Sequence, residues 1–87
     1  MLYKLYSATH RCMPCRMLVN QLNIDFKDWE NYIEYIDADN MSKEESDLAL
    51  KLNVRSLPTI TDADKIVFRG FDRSMVDKIK KLCLTKE

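Results

Sequence analysis

Cys12-Met13-Pro14-Cys15 stands between a strand-like run, Leu2–Tyr6 (Leu-Tyr-Lys-Leu-Tyr), and a helical pattern that begins at Met13. This junction takes the chain from a strand into a helix across a short loop, with Cys12 at or near the N-cap and Cys15 one turn inside. The first N–H groups of a helix have no partner within it and its dipole is positive there, so a thiolate at Cys12 is favoured. Pro14 fits the first turn, where a missing N–H costs nothing.

The rest of the chain continues the alternation. Cys15, Leu18, Val19, Leu22 and Phe26 follow helical spacing to about Phe26, and Tyr32–Ile36 reads as a strand broken by Asp37-Ala38-Asp39-Asn40. Ser42 and Glu45 have the spacing of a capping box, which predicts a helix over roughly Lys43–Leu52 that buries Leu48, Ala49 and Leu52. Pro58–Thr61 and Ile66–Arg69 flank Asp62-Ala63-Asp64-Lys65 and predict a hairpin. After Gly70, Asp72 or Ser74 can cap a last helix whose apolar stripe is Met75, Val76, Ile79, Leu82 and Cys83. Gly70 is the only glycine, so the other turns must use Asn, Asp and Pro. The order β-α-β-α-β-β-α predicts an α/β fold: a four-stranded mixed sheet with helices on both faces, and Cys12 at the sheet edge where ligands of such folds gather.

The 87 residues suffice for one domain, 1–87. Fourteen basic and fourteen acidic side chains cancel, which gives the whole molecule no charge-based reason to bind nucleic acid or an anionic membrane. No acid precedes Asp25, whereas Lys4, Arg11 and Arg16 do, so the thiol segment carries about +3. Three cysteines with one close pair do not describe a secreted disulfide framework, and neither a signal-peptide pattern nor an apolar run of ~18 residues is present. A monomeric, soluble cytoplasmic protein is expected.

Thiol–disulfide exchange needs an exposed low-pKa thiolate to attack and a second thiol to resolve the mixed disulfide. Cys12 is the expected nucleophile and Cys15 the shielded resolver. The same spacing makes half of a zinc site, but only His10 and Cys83 remain as further ligands and Cys83 belongs to an apolar stripe, so no metal is expected. His10 reads as a solvated loop histidine rather than a proton shuttle, and Trp29, in the polar stretch Asp25–Asn31, has no assignable role. Met13, exposed beside a reactive thiol, can adapt to varied apolar partner surfaces.

Taken together, Tyr6 to Arg16, Asp37-Ala38-Asp39, Val54-Arg55-Ser56-Leu57-Pro58-Thr59-Ile60 and Gly70 resemble the thioredoxin superfamily from end to end. The resemblance implies the thioredoxin fold, a cis Pro58 packed beside the two cysteines, and a Leu57 backbone that pairs with bound substrate. Pro14 between the cysteines resembles thioredoxins; the chain length and Gly70-Phe71-Asp72 resemble glutaredoxins, in which that segment binds glutathione. Asp72 is read first as a helix cap and second as a glutathione contact. Tyr6 stands where thioredoxins keep a buried carboxylate and Arg11 where they keep a tryptophan, so a full positive charge is expected beside Cys12.

The expected function is therefore an enzyme, a disulfide-reducing electron donor with Cys12 and Cys15 catalytic and Arg11, Met13, Pro14, Leu57, Pro58 and Asp72 binding substrate. The resemblance implies disulfide-containing partners, among them ribonucleotide reductase, and re-reduction by a thioredoxin reductase or glutathione, with no other cofactor. The alternatives are a glutaredoxin acting on glutathione mixed disulfides and a non-catalytic binding module whose cysteines are structural or ligate a metal.

Overall fold

The computed structural model describes residues 3–85. Its elements run β1 (Tyr3–Ser7), α1 (Met13–Asp25), a 3-10 turn (Trp29–Asn31), β2 (Ile33–Asp37), α2 (Lys43–Lys51), β3 (Thr59–Thr61), β4 (Ile66–Arg69) and α3 (Arg73–Thr85). The 3-10 turn is the one addition to the expected order. It buries Trp29, whose indole N–H donates to Asn23 Oδ1 at 2.8 Å. The polar stretch that gave the tryptophan no role on sequence thus packs its ring into the core.

Sheet order is β2-β1-β3-β4. β1 pairs in parallel with β2 from Tyr3↔Ile33 to Ser7↔Asp37 and antiparallel with β3 through Leu5↔Ile60. β1 is thus paired on both edges while helices cover its two faces, which buries its large side chains and leaves only Lys4 partly exposed. Alternation along β1 divides the core. Tyr3 and Leu5 pack with Leu18 and Leu22 of α1 and Val76, Ile79 and Cys83 of α3, while Tyr6 packs with Ile36 and Ala49 of α2 on the opposite face. Full burial of each large aliphatic side chain stabilises the fold by roughly 1.5–3 kcal/mol before the entropy of ordering is set against it.

Three expectations change. The first strand continues through Ser7, one residue past its expected end, with Leu2 outside the described residues, and the second runs Ile33–Asp37 rather than Tyr32–Ile36. In α2 only Ala49 is buried; Leu48 and Leu52 are half-buried, because this nine-residue helix covers a small cluster beside an open cleft. Its start has both arms of the capping box, Glu45 N–H to Ser42 Oγ at 3.1 Å and Ser42 N–H to Glu45 Oε1 at 2.9 Å. Its end carries Asn53 at φ 66°, the left-handed position that glycine most often fills. Asn53 and Val54 donate to the carbonyls of Leu50 and Ala49.

Candidate active site at the start of α1

Arg11 and Cys12 donate their N–H groups to the Ala8 carbonyl at 3.0 and 2.9 Å, so the loop after β1 turns tightly and delivers Cys12 to the helix start. Cys12 is the N-cap, extended at φ −119° and ψ 107°, and its Sγ accepts the Cys15 N–H at 3.2 Å. No acidic side chain lies in the first turn of α1 to oppose a negative sulfur. Cys15 is fully buried, Cys12 is half-buried, and the two form a disulfide with Cα atoms 5.2 Å apart.

The loop before β3 reaches the same place. The Leu57–Pro58 peptide is cis, as the resemblance implied, Pro58 is buried, and the Leu57 carbonyl oxygen lies 3.8 Å from Cys12 Sγ. Leu57 also lines a cleft of about 170 Å³ that continues past Tyr6, Ala38, Met41 and Val54 beneath α2. Met13 is 58 % exposed and Pro14 is exposed, so both stand on the rim of the thiol site. Asp72 lies at the start of α3, where its Oδ1 accepts the Ser74 N–H at 2.9 Å. That contact holds its carboxyl below the usual carboxylate range. Asp72 is therefore an exposed helix cap.

The charge around the thiols differs from the expectation. Lys4 pairs with Glu34 at 3.6 Å, and Arg11 turns to Asp39, with Nε 3.0 and 2.8 Å from the two carboxylate oxygens and Nη2 2.8 Å from Oδ1. Of the three cations in the thiol segment, only Arg16 makes no ion pair among the described residues. His10 Nε2 lies 2.7 Å from Asp39 Oδ2, so the histidine faces this carboxylate. Hydrogen bonding from Arg11, with smaller help from His10, holds the Asp39 carboxyl below its ordinary range. A full positive charge beside Cys12 is thus replaced by a neutralised one. His10, Asp37 and Asp39 bring potential metal-ligating atoms within 4.8 Å of one another, but both Asp39 oxygens are already engaged by Arg11 and His10.

Tyr6 is buried with its hydroxyl near that of Thr61, though neither meets hydrogen-bond geometry. Burial first, then Glu45 and Glu34, push its phenol above the ordinary tyrosine value. The phenol stays protonated at neutral pH and cannot take a proton from Cys15. Asp39 is the residue that reading along the chain passed over as a functional group. The signal was present: parallel pairing of β1 and β2 brings the loops after both strands to one edge, and Asp37-Ala38-Asp39 follows β2 as Cys12 follows β1. Comparison with protein-family models and with characterised proteins finds no match.

Proposed function

We propose that this chain is a thiol–disulfide oxidoreductase of thioredoxin-like fold that reduces disulfides in partner proteins. The observation that carries the reading is the Cys12–Cys15 pair, with an N-capping, half-exposed Cys12 and a buried Cys15. In the dithiol state the Cys12 thiolate attacks one sulfur of the partner disulfide. The other partner sulfur leaves as a thiolate and takes a proton from solvent. Cys15, losing its proton to solvent or to that thiolate, then attacks the Cys12 sulfur; the Cys12–partner bond breaks and the second partner thiol departs. Two electrons have passed to the partner and the Cys12–Cys15 disulfide has formed. A low-molecular-weight thiol such as glutathione, or a reductase dithiol, restores the starting state.

The Cys15 N–H lowers the energy of the attacking thiolate, and burial of Cys15 keeps the second thiol from capture by other disulfides. Leu57, with its carbonyl beside Cys12 and its side chain on the cleft, is positioned to receive the extended segment on either side of a partner cysteine. The test is reduction of a protein disulfide followed with wild type, Cys12→Ser and Cys15→Ser. The expected result is turnover by wild type, none by Cys12→Ser, and a trapped mixed disulfide with Cys15→Ser. Equal activity of all three would overturn the reading. Turnover restricted to glutathione mixed disulfides, with single-cysteine activity retained in Cys15→Ser, would reassign the chain to the glutaredoxin branch.

A further inference from the structure

Arg11 and His10 are the two basic side chains of the loop that ends at Cys12, and both terminate on one carboxylate, Asp39. The carboxylate is built into its place. The Asp39 N–H donates to Asp37 Oδ1 at 3.0 Å, Asn40 Nδ2 donates to Asp37 Oδ2 at 3.0 Å, and the Ala38 N–H ties the same loop to the Ser7 carbonyl at 2.8 Å. Asp39 is thus presented to the thiol loop by a turn anchored at the ends of β1 and β2.

Ion pairs this exposed contribute little to stability, so the cluster is better understood through its field. Arg11 precedes Cys12 directly, and an unpaired guanidinium there would favour the thiolate over the thiol. Against Arg11 the cluster sets two carboxylates, Asp37 and Asp39; with His10 neutral it carries one net negative charge, and with His10 protonated none. Two further cations belong to the segments that flank the thiol: Arg16, exposed one turn beyond Cys12 on α1, and Arg55, exposed two residues before Leu57. The Tyr35 hydroxyl also meets the loop, 3.3 Å from Thr9 Oγ1.

We propose that Asp39 is a positioning residue for the thiol chemistry: by drawing Arg11 and His10 onto itself it withholds their charge from Cys12, leaving the thiolate to the helix N-terminus and keeping the dithiol couple reducing. The proposal rests on the redox function given above. A couple becomes more oxidising as its reduced form gains stability, and a thiolate beside a free arginine is such a gain. Asp39 therefore restrains the pair, and its loss moves the couple in the oxidising direction.

The decisive experiment titrates Cys12 in the reduced protein by iodoacetamide alkylation against pH, read by mass, for wild type, Asp39→Asn, Asp39→Glu, Arg11→Ala and the Arg11→Ala/Asp39→Asn double variant. In Asp39→Asn the midpoint falls by about half a unit or more, in Arg11→Ala it rises, and in the double variant it returns towards wild type. Asp39→Glu, which keeps the charge, stays near wild type, and 1 M salt compresses all the differences. Equilibration of the same variants in glutathione buffers places Asp39→Asn as the most oxidising. An unchanged or raised midpoint in Asp39→Asn, or a double variant as displaced as Asp39→Asn itself, overturns the proposal. Alkylation needs no partner disulfide, so the midpoints report on Asp39 even if reductase turnover is absent, and absent turnover with shifted midpoints would count against the enzyme alone.

Discussion

Cys83 shows how far the environment of a thiol decides what it does. It sits in α3 with no exposed surface, and desolvation pushes its thiol up to about 11. Cys12, at a helix start, has the opposite surroundings. In native reduced protein at pH 8, alkylation is expected to label Cys12 rapidly and Cys83 only after unfolding in denaturant. Early modification of Cys83, read by peptide mass, would mean that α3 opens from the sheet. The placement of Cys12 at the helix start and of Cys15 buried one turn inside was legible from their spacing and the helical pattern, since both depend on one helix and its start. The destination of Arg11 was not legible along the chain, because its partner lies 28 residues away and only strand pairing brings the two together.

At the scale of elements, local chemistry set most boundaries and tertiary packing set the rest. The Ser42–Glu45 box was readable because both partners sit within one turn, and Ser42→Ala is expected to cost about 1 kcal/mol, measured as a lowered denaturant midpoint with unchanged slope. The 3-10 turn around Trp29 escaped notice because nothing local signals it; Asn23 and the core hold it. The hairpin turn manages without glycine. Asp62 Oδ1 accepts the N–H groups of Asp64 and Lys65 at 2.9 and 3.2 Å, a role that suits aspartate in turns. Gly70, at φ 72°, is reserved for the bend between β4 and α3, where its N–H donates to the Pro58 carbonyl at 2.8 Å. The bend thereby joins the start of α3 to the loop that faces Cys12.

Across the whole molecule, the exposed carboxylates that structure the loops add a small acid-sensitive contribution to the stability of the fold. Asp37, Asp39 and Asp72 are each held below the ordinary carboxylate range, by hydrogen bonds from Asn40, Arg11 and Ser74 respectively as the leading causes. A folded-state value below the unfolded one, about 3.9, gives a stability contribution that is present above the unfolded value and lost as pH falls through the folded one. The melting temperature is therefore expected to decline below about pH 4, and less steeply in a variant carrying Asp39→Asn and Asp72→Asn. A parallel decline in that variant, followed by circular dichroism, would place the acid sensitivity elsewhere.

The central place of β1 also has a consequence for the order of assembly. Both strands that cover its edges lie later in the chain, β2 from Ile33 and β3 to Thr61. A nascent chain leaving the ribosome must carry Tyr3–Ser7 with one edge open until the second half of the domain has emerged, so the sheet closes late and through distant contacts, the kind of topology that folds slowly for its size.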